Sequence, residues 1–412
     1  LVVTGPSQPL DIHLVHRPAA YAQPIASLPA PELGSPESAR GWLDLFYDLV
    51  FVAAILILSS AFSHAEDFND GLWFVAAFVA VWWVWLAMTL HANRFPEDTV
   101  GYRLVSLAQM FLVALVAIGA SDGARANAEF DSVCYALLTL SVALTYARSS
   151  GSGPRGSFAR RRAIEYGIAA VLFAVATPMP EAAQITFWLL GLGVMIVPAI
   201  AHCVTAPPLE ERHLLERFAA LTIIMCGEAF VKVALAADSD GLDGIDVVAV
   251  GLEFVLVFAI WSCYFDDVPV AGASAEPHRR ATWLGAHLLL HLGIVGVAVG
   301  VARFVTFRAG QDIPTIDVAA VAIPLAMVYV ALIVIGLVSR RRPLGRMIGL
   351  RLAAIVGVGV IVGVAEWATW FDTYWSVAAF VAVAVVHAAF EARARAETVV
   401  LPADDAPGQV RR

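Results

Sequence analysis

Apolar blocks of about 20 residues recur along nearly the whole chain, and no other feature constrains the fold as strongly. They lie near 43–62, 72–91, 104–121, 130–147, 163–178, 183–205, 214–236, 245–265, 283–302, 316–338, 347–365 and 374–391. In helical form, about 20 such residues cross the roughly 30 Å hydrocarbon layer of a bilayer. The blocks are continuously apolar, whereas strands of a membrane barrel alternate in polarity. The chain is 60% hydrophobic and 15% charged; a soluble domain is nearer half apolar and a quarter charged. The pattern predicts an all-α, polytopic integral membrane bundle of about twelve transmembrane helices. The fifth block is the shortest and ends at Pro178 and Pro180.

The linkers between blocks are polarised. Arg94 and Arg103 follow the second block, and Arg148, Arg155, Arg160, Arg161 and Arg162 follow the fourth. Arg279 and Arg280 follow the eighth, and Arg340, Arg341, Arg342 and Arg346 the tenth. The alternate linkers are acidic: Glu66, Asp67 and Asp70 in one, Asp238, Asp240, Asp243 and Asp246 in another. Arg125, Arg303 and Arg308 are the exceptions. Basic loops stay in the cytoplasm, so both termini are expected there. Trp42 and Trp283 then fall at inner span edges, and Trp73, Trp188, Trp367, Trp370 and Trp375 at outer ones, as interfacial belts. Trp82, Trp83 and Trp85 lie within the second block and are read as packing.

Residues 1–40 are rich in Pro, Ala and Ser and hold no apolar run, which predicts a disordered cytoplasmic tail. Residues 392–412 are expected to form a second cytoplasmic tail. Between them, WLDLFYDLVFVAAI (42–55) and LLERFAALTIIMCG (214–227) share an acid, a Phe two residues later and a β-branched run. The second and eighth blocks, displaced by the same offset, are both aromatic near the same end. This suggests two parallel six-helix repeats, residues 41–205 and 206–391, related by an axis along the membrane normal.

Several functions are excluded. The basic residues are scattered over many loops, so a net charge of -9 with no basic stripe gives no nucleic-acid surface. There is no GxxxxGK[ST], GxSxG or HExxH, which argues against an ATP-driven pump, an α/β-hydrolase or a common zinc protease. Cys134, Cys203, Cys226 and Cys263 have no CxxC spacing and read as packed thiols. No metal or cofactor is expected.

The seventh block, within HLLERFAALTIIMCGEAFVKV (213–233), carries the most unusual charges. Glu216 and Arg217 open it; Glu228 and Lys232 lie deep inside, and Lys232 is the only lysine in the chain. Glu228 and Lys232, four residues apart, share one helix face. Lys232 is long enough to snorkel to an interface; Glu228 is too short and too deep. It must face a partner or a wet cavity, and partners from the first, eighth or ninth span are expected. Glu253, inside the eighth block, is a second deep carboxylate. Asp44 and Asp48 lie one turn apart in the first; a helix N-terminus favours an acid at 44 more readily than at 48. A cross-repeat pair between Asp48 and Arg217 would account for both. His287 and His291 are four apart in the ninth block. Such a pair is ordinarily a set of hydrogen-bonded core imidazoles, with proton relay or metal ligation as the alternatives. Gly296 with Gly300 and Gly359 with Gly363 are small-residue pairs suited to close helix packing.

DLFYDLVFVAAI, HLLERFAALTIIMCGEA and AHLLLHLGIVGVAVG occur together here, and with them the chain resembles the bacterial low temperature requirement protein A (LtrA) family over roughly residues 40–390. The resemblance implies a multi-pass bacterial inner-membrane protein and supplies no reaction. It puts weight on Asp44, Phe46, Asp48, His213, Glu216, Arg217, Gly227, Glu228 and His291. Against the family pattern, Asp44 stands for Glu, Leu56, Ile57 and Ser60 for a Thr-Gln-x-x-His run, Ala229 for Ser, and Lys232 for a small or apolar residue. These departures leave open whether the first span contributes polar groups at mid-depth. The expected function is that of a secondary-transporter-like protein with a polar midplane site. Its candidate substrate- or proton-binding residues are Glu228, Lys232, Glu253, His291, His287 and Asp48, with Asp44, Glu216 and Arg217 as a structural charge cluster. Its partners would be the lipid bilayer and a small molecule or proton. The alternatives are an integral-membrane enzyme acting on a lipid or isoprenoid-like substrate, and a non-catalytic envelope factor. Oligomeric state is left open.

Overall fold

The computed structural model describes residues 36–62, 68–121, 127–239, 247–305, 315–341, 345–367 and 373–400. Most of the two predicted tails therefore lies outside the described residues. So do Glu66, Asp67, Arg125, Asp240, Asp243, Asp246, Arg308, Arg342 and Trp370. Each apolar block is a helix: α1 (Pro36–Phe62), α2 (Phe68–Arg94), α3 (Val100–Ser121), α4 (Ala128–Arg148), α5 (Gly153–Ala176), α6 (Glu181–Ala201), α7 (Glu211–Ser239) and α8 (Val247–Phe265). After the single turn α9 (Val268–Ala271) come α10 (Pro277–Val305), α11 (Thr315–Val338), α12 (Gly345–Trp367) and α13 (Thr373–Val400). No strand occurs among the described residues.

Among the described residues, 10 of these helices are long and apolar enough to cross a membrane. The other two long helices are α5 and α7. Both carry charge: α5 has Arg160, Arg161, Arg162 and Glu165 in its first half, and α7 has Glu216, Arg217, Glu228 and Lys232. The architecture fits a multi-pass membrane protein. The described residues from Leu43 onward cluster as one compact unit.

Within this unit, α3, α4, α5 and α6 pack in series. Helices α7, α10, α11, α12, α13 and α8 pack each against the next, and α8 returns to α7, closing a ring. Helices α10 and α11 pack closely, small residues of α10 meeting a proline of α11. Pro324 lies inside α11, where it cannot donate to the carbonyl of Ala320 one turn earlier. Gly300 of α10 packs against that carbonyl: a Cβ built there would lie 2.6 Å from Ala320 O. At Gly296 the added Cβ would lie 2.7 Å from the Pro324 ring. The expected close packing thus holds at Gly296 and Gly300. It does not hold at Gly359 and Gly363, where nothing lies within 4 Å. Gly300→Ala is expected to cost about 1–3 kcal/mol as an overpacked contact, with Gly359→Ala as the neutral comparison. Thermal unfolding in detergent measures both, and equal midpoints would contradict the account.

The aromatic assignments divide. Trp367 is 88% exposed and Trp375 58%, as outward-facing side chains are. Trp283 is not at a rim: it is 0% exposed, packed between Phe218 and His287. A position near the end of a span does not distinguish an outward Trp from an inward one. Trp82, Trp83 and Trp85 are buried as predicted, but two of them also anchor polar side chains.

Candidate functional site

Helix α7 carries buried polar groups at intervals along its inner face, and α1, α2 and α10 supply their partners. At its first turns, Arg217 Nη2 lies 2.7 Å from Asp48 Oδ1 and Arg217 Nη1 lies 3.7 Å from Asp44 Oδ1. The pairing between Asp48 and Arg217 anticipated from the sequence is present. Trp85 Nε1–H donates to Asp48 Oδ1 at 2.6 Å, and Arg217 Nη2 reaches Thr89 Oγ1 at 3.5 Å. A void of about 10 Å³ beside Asp44, Tyr47 and Arg217 is near the size of one water. Asn93 of α2 fixes the entry of α7: its amide donates to the Glu210 carbonyl at 3.0 Å, and its carbonyl accepts the Glu210 N–H at 2.9 Å. The same amide reaches His213 Nδ1 at 3.1 Å, which turns His213 Nε2 toward Asp44 Oδ2, 3.5 Å away. Glu216 stands apart from this cluster. It pairs with Arg212 at 2.8 Å on an exposed surface.

One to two turns further along lies the histidine pair. Trp82 Nε1–H donates to His291 Nδ1 at 3.0 Å, and His291 Nε2 lies 2.9 Å from Thr222 Oγ1. An indole N–H can only donate, so Nδ1 accepts and Nε2–H donates to Thr222. Thr222 in turn donates to the Phe218 carbonyl at 2.7 Å. His287 Nδ1–H donates to the Trp283 carbonyl at 2.8 Å, leaving Nε2 to accept from the Tyr264 hydroxyl at 3.2 Å. All four ring nitrogens are engaged within the protein. The geometry is that of hydrogen-bonded core imidazoles and not of a paired metal site.

Deeper still, Glu228 and Lys232 are 4% and 5% exposed and do not pair directly. Ser59 of α1 joins them: Lys232 Nζ donates to Ser59 Oγ at 2.8 Å, and Ser59 Oγ lies 3.2 Å from Glu228 Oε1. Ser60 Oγ is 3.5 Å from Lys232 Nζ. Glu228 therefore faces the interior, with a partner from the first span. The polar groups that this span contributes are Ser59 and Ser60, near the end of α1. Next to Glu228, nothing lies within 4 Å of a Cβ built at Gly227, so the glycine is not there for a close helix contact. Glu253 is 0% exposed, and neither of its carboxylate oxygens has a partner among the described residues. Phe230 of α7 and Phe254 of α8, stacked at 4.2 Å, bring the two helices together at this level.

Sequence reasoning missed one network entirely. Arg351 of α12, 0% exposed, lies 2.7 Å from Glu391 of α13 and 2.7 Å from Asp267. It also donates to the Leu332 carbonyl at 2.8 Å. Arg395 adds contacts to Glu391 at 3.3 Å and Asp266 at 2.9 Å. His387 Nε2 lies 3.4 Å from Glu391, and its Nδ1 lies 3.4 Å from Cys263 Sγ. Cys263, His387 and Glu391 have the spacing of metal ligands. Both Glu391 oxygens, however, are already held by guanidinium groups, and a cation there would face two arginines. The signal was present: an arginine within an apolar span, and His and Glu four residues apart on one helix.

Comparison with known proteins agrees with this architecture. A family model described as bacterial low temperature requirement A protein matches residues 39–396. The uncharacterized protein RA0937 of Rhizobium meliloti (strain 1021) is similar at 26% identity over 283 residues, which is 62% of this chain and 67% of that protein. The match takes in every one of the helices that carry the charged, histidine and serine groups described above, and the chain belongs to the bacterial low temperature requirement A family.

Proposed function

We propose that the protein is a secondary-transporter-type protein of the bacterial inner membrane, with both termini in the cytoplasm. The interior of α7 would be its path for a small solute or a proton. One observation carries this reading. From Arg217 through Thr222 and Glu228 to Lys232, buried polar side chains recur every one to two turns, over about 22 Å of helix at 1.5 Å per residue. Ionisable groups inside spans cost free energy and mark pathways more often than they mark packing. Discontinuous polarity of this kind between two helix bundles suits alternating access, and the serial packing of α3–α6 and α10–α13 is compatible with two related halves. The enzyme reading would need two carboxylates facing a common cavity; Glu228 and Glu253 line none of the described cavities.

The test is Glu228→Gln, which keeps size and hydrogen bonding and removes the charge. In a strain lacking the gene, it is expected to insert at the wild-type level and to fail in restoring growth at low temperature. Lys232→Met, which leaves Glu228 and Ser59 in place, is expected to restore part of it. Full restoration by Glu228→Gln would sink the proposal.

A further inference from the structure

A cavity of about 360 Å³ lies between α2, α4, α5, α10 and the segment joining α6 to α7. It is separate from the Glu228 group and shares only Trp82 with the histidine core. Its size falls in the usual range of small-molecule sites. The walls are apolar, with Trp82, Trp83, Leu86, Leu90, Phe158 and Leu284 among them. Four arginines also line it, Arg94, Arg161, Arg162 and Arg280, against a single carboxylate, Glu165. Glu165 is paired with Arg162.

None of the other three arginines forms a salt bridge among the described residues, although Glu211 lies close enough to act on the charge of Arg280. Arg94 gives Nε–H to the Pro207 carbonyl at 3.1 Å and lies over the Phe158 ring at 4.9 Å. Arg280 gives Nε–H to the Ser274 carbonyl at 2.9 Å. In both, the backbone contact holds the side chain in place, and the terminal nitrogens make no hydrogen bond among the described residues. Arg94 in the last turn of α2 and Arg280 in the first turn of α10 line the apolar chamber together with Arg161. Arg94 and Trp82 are twelve residues apart on α2, so the chamber follows that helix for about 18 Å. A cationic end and a long apolar body are complementary to a ligand with one anionic end and a chain. Guanidinium forks match phosphate oxygens in pairs, and basic pockets between transmembrane helices hold phospholipid head groups.

We propose that this cavity binds an anionic amphiphile, its phosphate held by Arg94, Arg161 and Arg280 and its hydrocarbon chain lying along α2. The site does not depend on the transport reading: it would exist equally in a protein that transports nothing.

Binding to the purified full-length protein in detergent tests this, with lysophosphatidic acid as the probe and calorimetry or native mass spectrometry as the readout. One saturable site is expected. Monoacylglycerol, which lacks the phosphate, should bind about a hundredfold more weakly or worse, since it forgoes the charge-assisted hydrogen bonds of all three arginines. Inorganic phosphate should not compete. Arg161→Gln with Arg280→Gln should weaken the phosphorylated probe by about tenfold per arginine and leave monoacylglycerol unchanged. Ala281→Phe fills the chamber from α10 and keeps all four arginines, and should weaken both lipids alike. Both variants are checked for wild-type thermal unfolding first; if the arginine variant unfolds, Ala281→Phe decides. Equal binding of the two lipids, competition by inorganic phosphate, or undiminished binding by the variants would overturn the proposal.

Discussion

Arg351→Met is expected to destabilise the protein by about 3–5 kcal/mol, the usual cost of stranding a buried charge. The guanidinium serves three acceptors on three different segments: Glu391 on α13, Asp267 after α8 and the Leu332 carbonyl on α11. Methionine fills much of the volume and satisfies none of them. Glu391 would keep Arg395 and His387, but Asp267 has no second guanidinium among its described contacts. Thermal unfolding in detergent should show a clear drop. Adding Glu391→Gln to Arg351→Met should recover part of the loss, because it removes one stranded carboxylate. Removing both partners of a buried pair is commonly far milder than removing one. A single variant that melts with the wild type would show that the network is not a structural tie.

The number and placement of helices were legible because apolar length is a local property of the chain. The membrane supplies the constraint, and it acts on each segment separately. What the sequence shows less well is which face of a helix looks inward. Periodicity could place Glu228 and Lys232 on one face, and the structure agrees that both are buried. It could not choose Ser59 as the hydroxyl between them, because serines are common in apolar spans and the choice depends on how α1 meets α7. Glu253 was found from depth alone; no partner was assigned to it, and none is seen among the described residues. His287 and His291 were found from their spacing, but Trp82 and Tyr264, which fix their tautomers, come from other helices.

The misreadings have a common cause. Arg161, Arg162 and Arg280 were read as topology signals on separate loops, and that reading did not bring them to the one cavity that they line. Trp283 was read as interfacial from its position in the sequence, whereas the ring turns inward to Phe218 and His287. Gly359 and Gly363 have the spacing of a packing motif on a face that no other helix covers. In each case the residue type and spacing were informative, and the missing term was the rotation of one helix about its axis. That rotation is set by tertiary contacts between segments far apart in the chain.

Charge reversal at Asp48 gives the most direct test of such a contact. Asp48→Lys is expected to prevent stable folding, because it places a second cation beside Arg217 with both side chains nearly excluded from solvent and leaves the Trp85 N–H without its acceptor. The expected cost is about 3–5 kcal/mol or more. Adding Arg217→Asp restores opposite charges across the same α1–α7 contact. It should recover about 0.5–3 kcal/mol, the range of coupling between residues in direct contact, though not the bond from Trp85. The neighbouring Glu216 provides the contrast. It is adjacent in sequence and carries a charge of its own, but its pair with Arg212 is more than half exposed on both sides. Exposed pairs contribute about 0–1 kcal/mol, so Glu216→Lys should leave unfolding close to wild type. Expression level and thermal midpoint in detergent separate the three variants. Failure of the double reversal to improve on Asp48→Lys would mean that Asp48 is held by Trp85 and burial, and that its pairing with Arg217 contributes nothing to the fold.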